Sequence, residues 1–504
     1  MEKMSGYYLT IDVGTTAVKV CAVTENFKIL SCVKTEYQLH TEGTRVTMPA
    51  EDYWNYAKQG IRAITAEFGK ERITGIAVTT QGETMIPVDE AGIPLCDAVV
   101  WLDGRAEEQA QKIGQIVSQK EFYVKTGVPE CNGLCPVSKL LWFLEEEPEL
   151  YVRAKYFLLL EDYMIFKLTG KAVTEKSLLC TTGYFDLIED EIWESLLCRL
   201  GLDPEKIPPA LDCGKVVAPV LEDVAAELGL GREVMVVTGG MDQVCGALGA
   251  GNSRPGMLTE TTGTALCIGK TITKAPVNPE YPIPVYRHYN KELQLLLPVC
   301  MTAGMALKWF KDTFCEKEVE EASRTDRSVY DLLNDLARDA EPLAGGIIML
   351  PYLAGSIQPY QAPGFRGGFL GVGLNSRKCD FVRALMEGVS FMLKENLQLL
   401  NRLGGGECDH MISMGGGAGS GIWCQIKADV TGLEVRTLEE SETASVGAAM
   451  LCALGLGKSD SLTEWNNTCS VKKIYLPQKA ELEKYKAGYE RYSRHLRKII
   501  EEDA

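Results

Sequence analysis

The sequence predicts an α/β protein built from two similar domains, and three observations carry that expectation. The chain has 504 residues and 46% hydrophobic content, too much for one core and enough for two domains of ordinary size. Short β-rich runs alternate with helical patterns, and 49 glycines suit the tight strand-to-helix turns and phosphate loops of that class. A stretch near the N-terminus also recurs about half the chain later.

Taken in order, residues 7–23 read as two β-rich runs around a Gly-Thr-Thr turn, which is hairpin grammar. A third run from Lys28 to Tyr37 completes a meander. Trp54 to Phe68 has the spacing of an amphipathic helix, Ile73 to Thr79 that of a buried strand, and Val137 to Glu147 that of another helix. Pro148 discourages that helix from continuing. Val234 to Thr238 is again a buried strand. In the recurrence, Leu9-Thr10-Ile11-Asp12-Val13-Gly14-Thr15 lies on Leu258-Thr259-Glu260-Thr261-Thr262-Gly263-Thr264, and Leu, Thr, Gly and Thr coincide without a gap. Two copies of one fold, each opening with a phosphate-turn hairpin, is the economical reading; chance recurrence of common turn residues is the other. The boundary is expected in Gly251-Asn252-Ser253-Arg254-Pro255-Gly256, a stretch punctuated like a hinge, giving domains 1–251 and 252–504.

Composition narrows the function. A formal net charge of −17 argues against a nucleic-acid partner, because phosphate backbones are held by clustered Lys and Arg. An anionic ligand here needs backbone amides, a metal or a few placed cations. The 17 cysteines form no CxxC pair and no Cys/His cluster, so they read as buried thiols in a reducing compartment. The N-terminus has no apolar signal core, and no run approaches the ~18 apolar residues of a spanning helix. A cytoplasmic protein with no membrane partner is the expectation.

Four motifs carry chemistry. Asp12-Val13-Gly14-Thr15-Thr16 with Lys19 places a carboxylate at a strand end before a turn whose glycine lets backbone N–H groups approach phosphate oxygens. Asp12 there can hold Mg²⁺ directly or through water; an ordinary hairpin turn with an Asx bond explains the residues equally well. Gly239-Gly240-Met241-Asp242-Gln243 follows the strand 234–238. Asp242 can accept a proton from a substrate hydroxyl, or it can cap a helix beginning near Gln243. Thr261-Thr262-Gly263-Thr264 is a second hydroxyl-rich glycine turn, suited to nucleotide phosphates or to a plain β-turn. Met414-Gly415-Gly416-Gly417-Ala418 stands between an apolar strand and a helical pattern through Trp423, Ile426 and Val430. Glycines opening a helix let a base or phosphate lie against the backbone, and those flanks make a flexible linker the weaker reading. There is no GxxxxGK[ST] loop and no GxGxxG fingerprint opening the chain.

Together these residues closely resemble the FGGY family of carbohydrate kinases, along nearly the whole chain from Asp12 to beyond Gly447. The resemblance also rests on Trp101-Leu102-Asp103-Gly104-Arg105, on Glu161-Asp162-Tyr163 through Leu168-Thr169-Gly170-Lys171, and on Leu350-Pro351-Tyr352-Leu353-Ala354-Gly355. Arg366-Gly367 and Ser445-Val446-Gly447 complete it. It implies a duplicated actin-like, ribonuclease-H-like fold around an interdomain cleft, and transfer of the γ-phosphate of Mg-ATP to a sugar or polyol hydroxyl. By that analogy Asp242 is the catalytic base and Asp12 lies near Mg²⁺. Gly14, Thr15, Thr16, Lys19, Thr262, Gly263, Thr264, Gly304 and Lys308 serve the cofactor phosphates, while Gly416, Gly417 and Ala418 border the adenosine. Gln81, Gly82, Glu83, Asp103, Asp242 and Gln243 form the substrate set. The partner implied is a small sugar or polyol, and a homodimer is compatible with it. Ser356-Ile357-Gln358-Pro359 departs from the family's Glu-Arg-Thr-Pro, and Lys19 replaces an Arg.

The substrate signature is mixed. Glu83 and Gln243 resemble glycerol kinases, whereas Trp101 to Arg105 resembles xylulokinases. Gly82 stands where glycerol kinases carry Arg, and Leu134 where an aromatic closes over glycerol. A roomier pocket is expected unless another loop refills it, and a ketopentose such as xylulose is the expected substrate. Other polyol or ketose kinases (glycerol, erythritol, ribulose) and a sugar-responsive pseudokinase regulator are the alternatives. A chaperone-type ATPase lacks support, since no peptide-binding β-domain follows.

Overall fold

A computed structural model describes residues 6–356, 358, 360, 362, 364–458 and 470–503. The chain forms two compact units. Unit one comprises Met1–Arg254, Thr273–Leu295 and Glu442–Cys469; unit two comprises Pro255–Ile272, Leu296–Ser441 and Ser470–Ala504. Each unit is therefore assembled from separated stretches of sequence, and the first passage between them falls inside the Gly/Pro-punctuated stretch 251–256.

In unit one the sheet contains β1 (Tyr7–Val13), β2 (Ala17–Thr24), β3 (Ile29–Glu36), β4 (Ile73–Thr80), β5 (Val216–Pro219) and β6 (Met235–Met241). Their spatial order is β5-β6-β4-β1-β2-β3. The pairs β1/β2 and β2/β3 are antiparallel, β1/β4 and β4/β6 parallel, and β6/β5 antiparallel. Alternation along β1 sends Tyr7, Leu9, Ile11 and Val13 into a core shared with α1 (Ala50–Phe68) and α2 (Leu160–Thr169). Tyr8 faces the opposite way, into a second core with α3 (Asp242–Gly249) and the helix Thr443–Gly455. With both faces covered, the parallel strands read as near-continuous apolar runs.

Unit two repeats the plan. Its sheet contains β7 (Leu258–Thr262), β8 (Leu266–Thr273), β9 (His410–Met414), β10 (Glu434–Leu438) and β11 (Val471–Tyr475). The pair β7/β8 is antiparallel, β7/β9 and β9/β10 parallel, and β10/β11 antiparallel. That succession matches β2-β1-β4-β6-β5 strand for strand, so the duplication legible in seven residues extends through both sheets. Around it stand α4 (Gly304–Phe314), α5 (Val329–Asp339), α6 (Lys378–Leu403) and α7 (Gly421–Thr431).

Three local expectations need adjustment. The first helix starts at Ala50, four residues before Trp54, because Pro49 stops the preceding strand and Glu51 and Asp52 suit a first helical turn. The helix read as Val137–Glu147 spans Pro136–Glu146 and stops before Pro148 as expected, and the proline then opens a new short helix, Pro148–Arg153, as a first-turn proline. The strand 234–238 runs on through both glycines to Met241. The glycines 415–417 do not open α7: Gly416–Gly419 form a 3₁₀ turn, and α7 starts after Ser420, whose hydroxyl accepts from the Trp423 N–H at 3.2 Å. Of the Ser356-Ile357-Gln358-Pro359 departure, Ile357 and Pro359 lie outside the described residues.

Candidate active site

In unit one, the turn after β1 is closed by Gly14 N–H to Ala17 C=O at 3.0 Å. The Tyr37 hydroxyl donates to the Gly14 carbonyl, and Tyr37 N–H donates to Thr16 C=O at 3.0 Å. Asp12 ends the strand beside Lys19, its cross-strand partner, with Nζ 3.5 Å from the carboxylate. Lys19 also donates to Glu442 at 2.6 Å. Burial pushes the Asp12 carboxyl up, Lys19 pulls it back, and Glu442 adds to the rise.

Asp242 is the first residue of α3 rather than the cap of a helix starting later. Its carboxyl is pushed up to about 7, first by burial and then by the charge of Asp12, against the pull of the Gln243 backbone N–H and Lys19. A carboxylate held near neutrality at a strand-to-helix junction is suited to general base catalysis. Glu83 is likewise raised to about 7, by burial and by Asp242, with Lys139 opposing. Its backbone sits at φ 67°, in the left-handed region that a non-glycine residue enters at a cost of ~1 kcal/mol or more and that clusters at functional sites.

The loop that carries Glu83 is fastened on both sides. Gln81 N–H donates to Val13 C=O at 3.0 Å, and the Gln81 side chain donates to Thr84 Oγ1 at 3.2 Å. Trp101 N–H reaches the same Thr84 hydroxyl, while the Trp101 indole donates to Thr15 Oγ1 at 3.0 Å. The Trp101 ring is thereby hydrogen-bonded to the turn that follows β1. A Cβ on Gly82 would lie 2.9 Å from Thr181 Cγ2, so Thr181 occupies space beside this glycine. Leu134 faces Gly104. Asp103 is fully buried; Arg105 and the Val46 N–H engage both its oxygens.

Sequence reasoning missed several unit-one residues. Glu442 is one. Lys139 is fully buried, donates to Val100 C=O at 2.9 Å and is lowered to about 8 by burial, against the pull of Glu83. Burial chiefly pushes the Tyr286 phenol up, and the charges of Glu83 and Asp242 add to the rise. All three lie far in sequence from the motifs they serve, and no local pattern marks them.

Unit two holds a cavity of about 410 Å³, within the size range of small-molecule sites. Thr262, Gly263 and Thr264 form one wall, Gly304 and Lys308 a second, Gly416 and Gly417 a third. Tyr330, Asn334 and Trp423 also line it. The N-terminus of α4 is stitched to the glycine turn by Gly304 N–H to Gly263 C=O at 2.8 Å and Met305 N–H to Thr264 C=O at 3.2 Å. A Cβ on Gly304 would meet the Gly263 oxygen at 2.4 Å, so the close approach requires glycine. Cβ atoms on Gly263 or Gly416 would meet nothing within 4 Å, which leaves bare backbone facing the cavity. Lys308 is exposed and paired with Asp312 at 2.6 Å. Ala418 stands in the turn behind the wall, its N–H donating to Gly415 C=O at 3.1 Å.

These features fit a nucleotide: bare glycine backbone, hydroxyls and a helix N-terminus for phosphates, with aromatic side chains for a base. No group of three or more His, Cys, Asp or Glu side chains among the described residues could hold a metal ion. Mg²⁺ is commonly bound through one or two carboxylates, water and substrate phosphates rather than by an all-protein cage, and the Asp12 carboxylate, just before the Gly14 turn, is compatible with that mode.

The profile described as "FGGY family of carbohydrate kinases, N-terminal domain" matches residues 7–249, and that of the C-terminal domain matches residues 258–456. The chain is 31% identical over 452 residues to a xylulose kinase of Staphylococcus epidermidis, covering 89% of this chain and 88% of that protein. It is 28% identical over 459 residues to a gluconokinase of Bacillus subtilis, covering 91% and 89%. The crystal structure of gluconate kinase from Lactobacillus acidophilus superposes with a TM-score of 0.89 at 24% identity, covering 98% of each chain.

Proposed function

From the premise that this chain belongs to the FGGY family of carbohydrate kinases, we propose that its acceptor is a ketopentose, with xylulose the best single case. The chain is a carbohydrate kinase, a phosphotransferase with an alcohol group as acceptor, and Mg-ATP supplies the phosphoryl group and neutralises its developing charge. In the proposed reading unit one holds the acceptor and unit two the nucleotide. The observation that carries the phosphoryl-transfer chemistry is the place of Asp242, the first residue of α3 directly after β6, with its carboxyl raised to about 7.

Asp242 takes the proton of the attacking hydroxyl. Glu83, Gln81 and Gln243 orient the remaining hydroxyls, since a carboxylate and amides can grip vicinal diols. Asp103 joins them only by releasing an Arg105 or Val46 hydrogen bond. Asp12 holds Mg²⁺, with Lys19 beside it. Gly14, Thr15 and Thr16 present donors to the transferring phosphoryl group. Thr262, Gly263, Thr264, Gly304 and Lys308 hold the remaining phosphates, and Gly416, Gly417 and Ala418 border the adenosine. Positioning and charge neutralisation account for most of the rate in such transfers.

The preference for xylulose rests on the Staphylococcus epidermidis relative and on the likeness of Trp101 to Arg105 to xylulokinases, since Thr181 fills the space beside Gly82. The Bacillus subtilis relative makes gluconate the competing acceptor. Side-by-side kcat/KM values for D- and L-xylulose, ribulose, erythritol, glycerol and gluconate decide. Xylulose is expected to lead; gluconate or glycerol leading by a wide margin would refute the assignment. No helix among the described residues is long and apolar enough to cross a membrane. The same reading places the protein in the cytoplasm, where its buried thiols stay reduced, and a homodimer is compatible with it. Sedimentation velocity measures the latter.

A further inference from the structure

The strand that delivers Asp242 is irregular just before it arrives. Along β6 the register with β4 runs Thr238 to Val78 and then Gly240 to Thr79, so Gly239 is an extra residue. Such a bulge re-aims the chain and removes one residue from the ladder. A Cβ on Gly239 would lie 1.8 Å from the Val78 carbonyl oxygen, so only glycine fits.

Three successive backbone groups in this irregular stretch are each caught by a fully buried side chain. Gly239 N–H donates to Glu161 Oε1 at 3.0 Å. Thr79 Oγ1 donates to the Gly240 carbonyl at 2.7 Å. Met241 N–H donates to Ser177 Oγ at 3.0 Å. Ser177 is fixed in turn: its hydroxyl donates to Glu175 Oε2 at 2.6 Å, and Glu175 Oε1 accepts from Ser177 N–H at 2.6 Å and Cys213 Sγ at 2.8 Å. Glu161, Thr79, Ser177 and Glu175 are all 0% exposed. Neither Glu161 nor Glu175 forms an ion pair among the described residues, although the charge of Arg287 acts on Glu175, and buried carboxyls are costly unless hydrogen bonds satisfy them.

We propose that Glu161 and Ser177, backed by Glu175, are positioning residues that clamp the Gly239 bulge and so fix the aim of Asp242. Burial and the neighbouring Glu175 and Asp162 push the Glu161 carboxyl well above the usual range, and its Oε1 is the acceptor for the Gly239 N–H. A glutamine reproduces that acceptor; a methionine fills the volume without it. The proposal rests on Asp242 being the base, and the experiment keeps the two apart.

The test compares the wild type with Glu161→Met, Glu161→Gln and Ser177→Ala. It measures kcat, both KM values and amide hydrogen exchange over residues 236–244. Glu161→Met is expected to lower kcat about 10–100-fold, the scale of a misplacement near 1 Å, with KM for ATP unchanged and faster exchange at Gly239. Glu161→Gln should restore most of the turnover. Ser177→Ala should loosen Met241 with a smaller fall in kcat, and it tests the clamp should Glu161→Met fail to fold. Wild-type kcat and exchange in folded Glu161→Met or Ser177→Ala would overturn the clamp. A lower kcat with unaltered exchange at 239–241 would overturn it too. An Asp242→Asn variant with wild-type turnover would refute the base alone, since exchange reads the clamp without reference to which residue takes the proton.

Discussion

The two glycine hairpins share a backbone plan and use their acids in opposite ways. In unit one the turn is closed by Gly14 to Ala17, in unit two by Gly263 to Ala265, each at 3.0 Å. When the copies are laid on each other, Asp12 falls on Thr261, and unit two's acid, Glu260, falls on Ile11. One residue of displacement moves a side chain to the other face of a strand. Glu260 is consequently locked to Lys427 at 2.5 Å with both side chains 0% exposed, and Thr262 Oγ1 joins that network at 2.7 Å. Asp12 instead meets Lys19 at 3.5 Å, a longer and partly exposed pair. A duplicated frame thus yields one hairpin whose acid is available for chemistry and one whose acid is structural.

The largest expected effect breaks this comparison if it fails. Asp242→Asn should fold normally and lose turnover by ~10²–10⁴-fold, the usual contribution of a placed general base, read as kcat under saturating substrates. Asp12→Ala should follow, lowering turnover with Mg-ATP by about a hundredfold or more while sugar affinity, measured by calorimetry, stays within a few-fold. In unit two, Lys427→Met leaves Glu260 buried without its cation and should cost ~3–5 kcal/mol of stability, seen as a lower thermal midpoint. Were Asp12→Ala to lower the midpoint that far and spare turnover, the two acids would have the same role.

A smaller, graded effect sharpens the comparison. With Asp242 at about 7, kcat/KM should fall about tenfold per unit as pH drops below that value, because the protonated carboxyl cannot accept. Glu83 also stands at about 7, and a limb retained in Glu83→Gln assigns it to Asp242. Stability has the opposite sign. The folded value exceeds the ordinary 3.8, so the fold favours the protonated form, and stability declines as pH rises from near 3.8 through about 7. Asp242→Asn should therefore melt higher than wild type at pH ~8 and match it at pH ~3, with a difference on the order of a few degrees.

What the sequence made legible was local. The Gly-Thr turns, the strand-Gly-Gly-x-Asp junction and the glycines at 415–417 are contiguous, and their residue types announce backbone that a ligand can approach. The cavity in unit two brings together Thr262, Gly263, Thr264, Gly304, Lys308, Gly416 and Gly417, residues that stand in separate segments of the sequence. What remained hidden depends on distance along the chain. Glu442 reaches Lys19 across 423 residues and Glu161 reaches Gly239 across 78. Gly239 read as a residue following a strand, and its bulge became visible only when β4 lay beside it.

The most direct test of the account follows the label from γ-labelled ATP incubated with the wild-type protein, Mg²⁺ and xylulose. The account predicts a labelled sugar phosphate ester formed in step with ADP, and neither product at that rate without the sugar. Label released as inorganic phosphate at the same rate with or without xylulose and the other acceptors would contradict it.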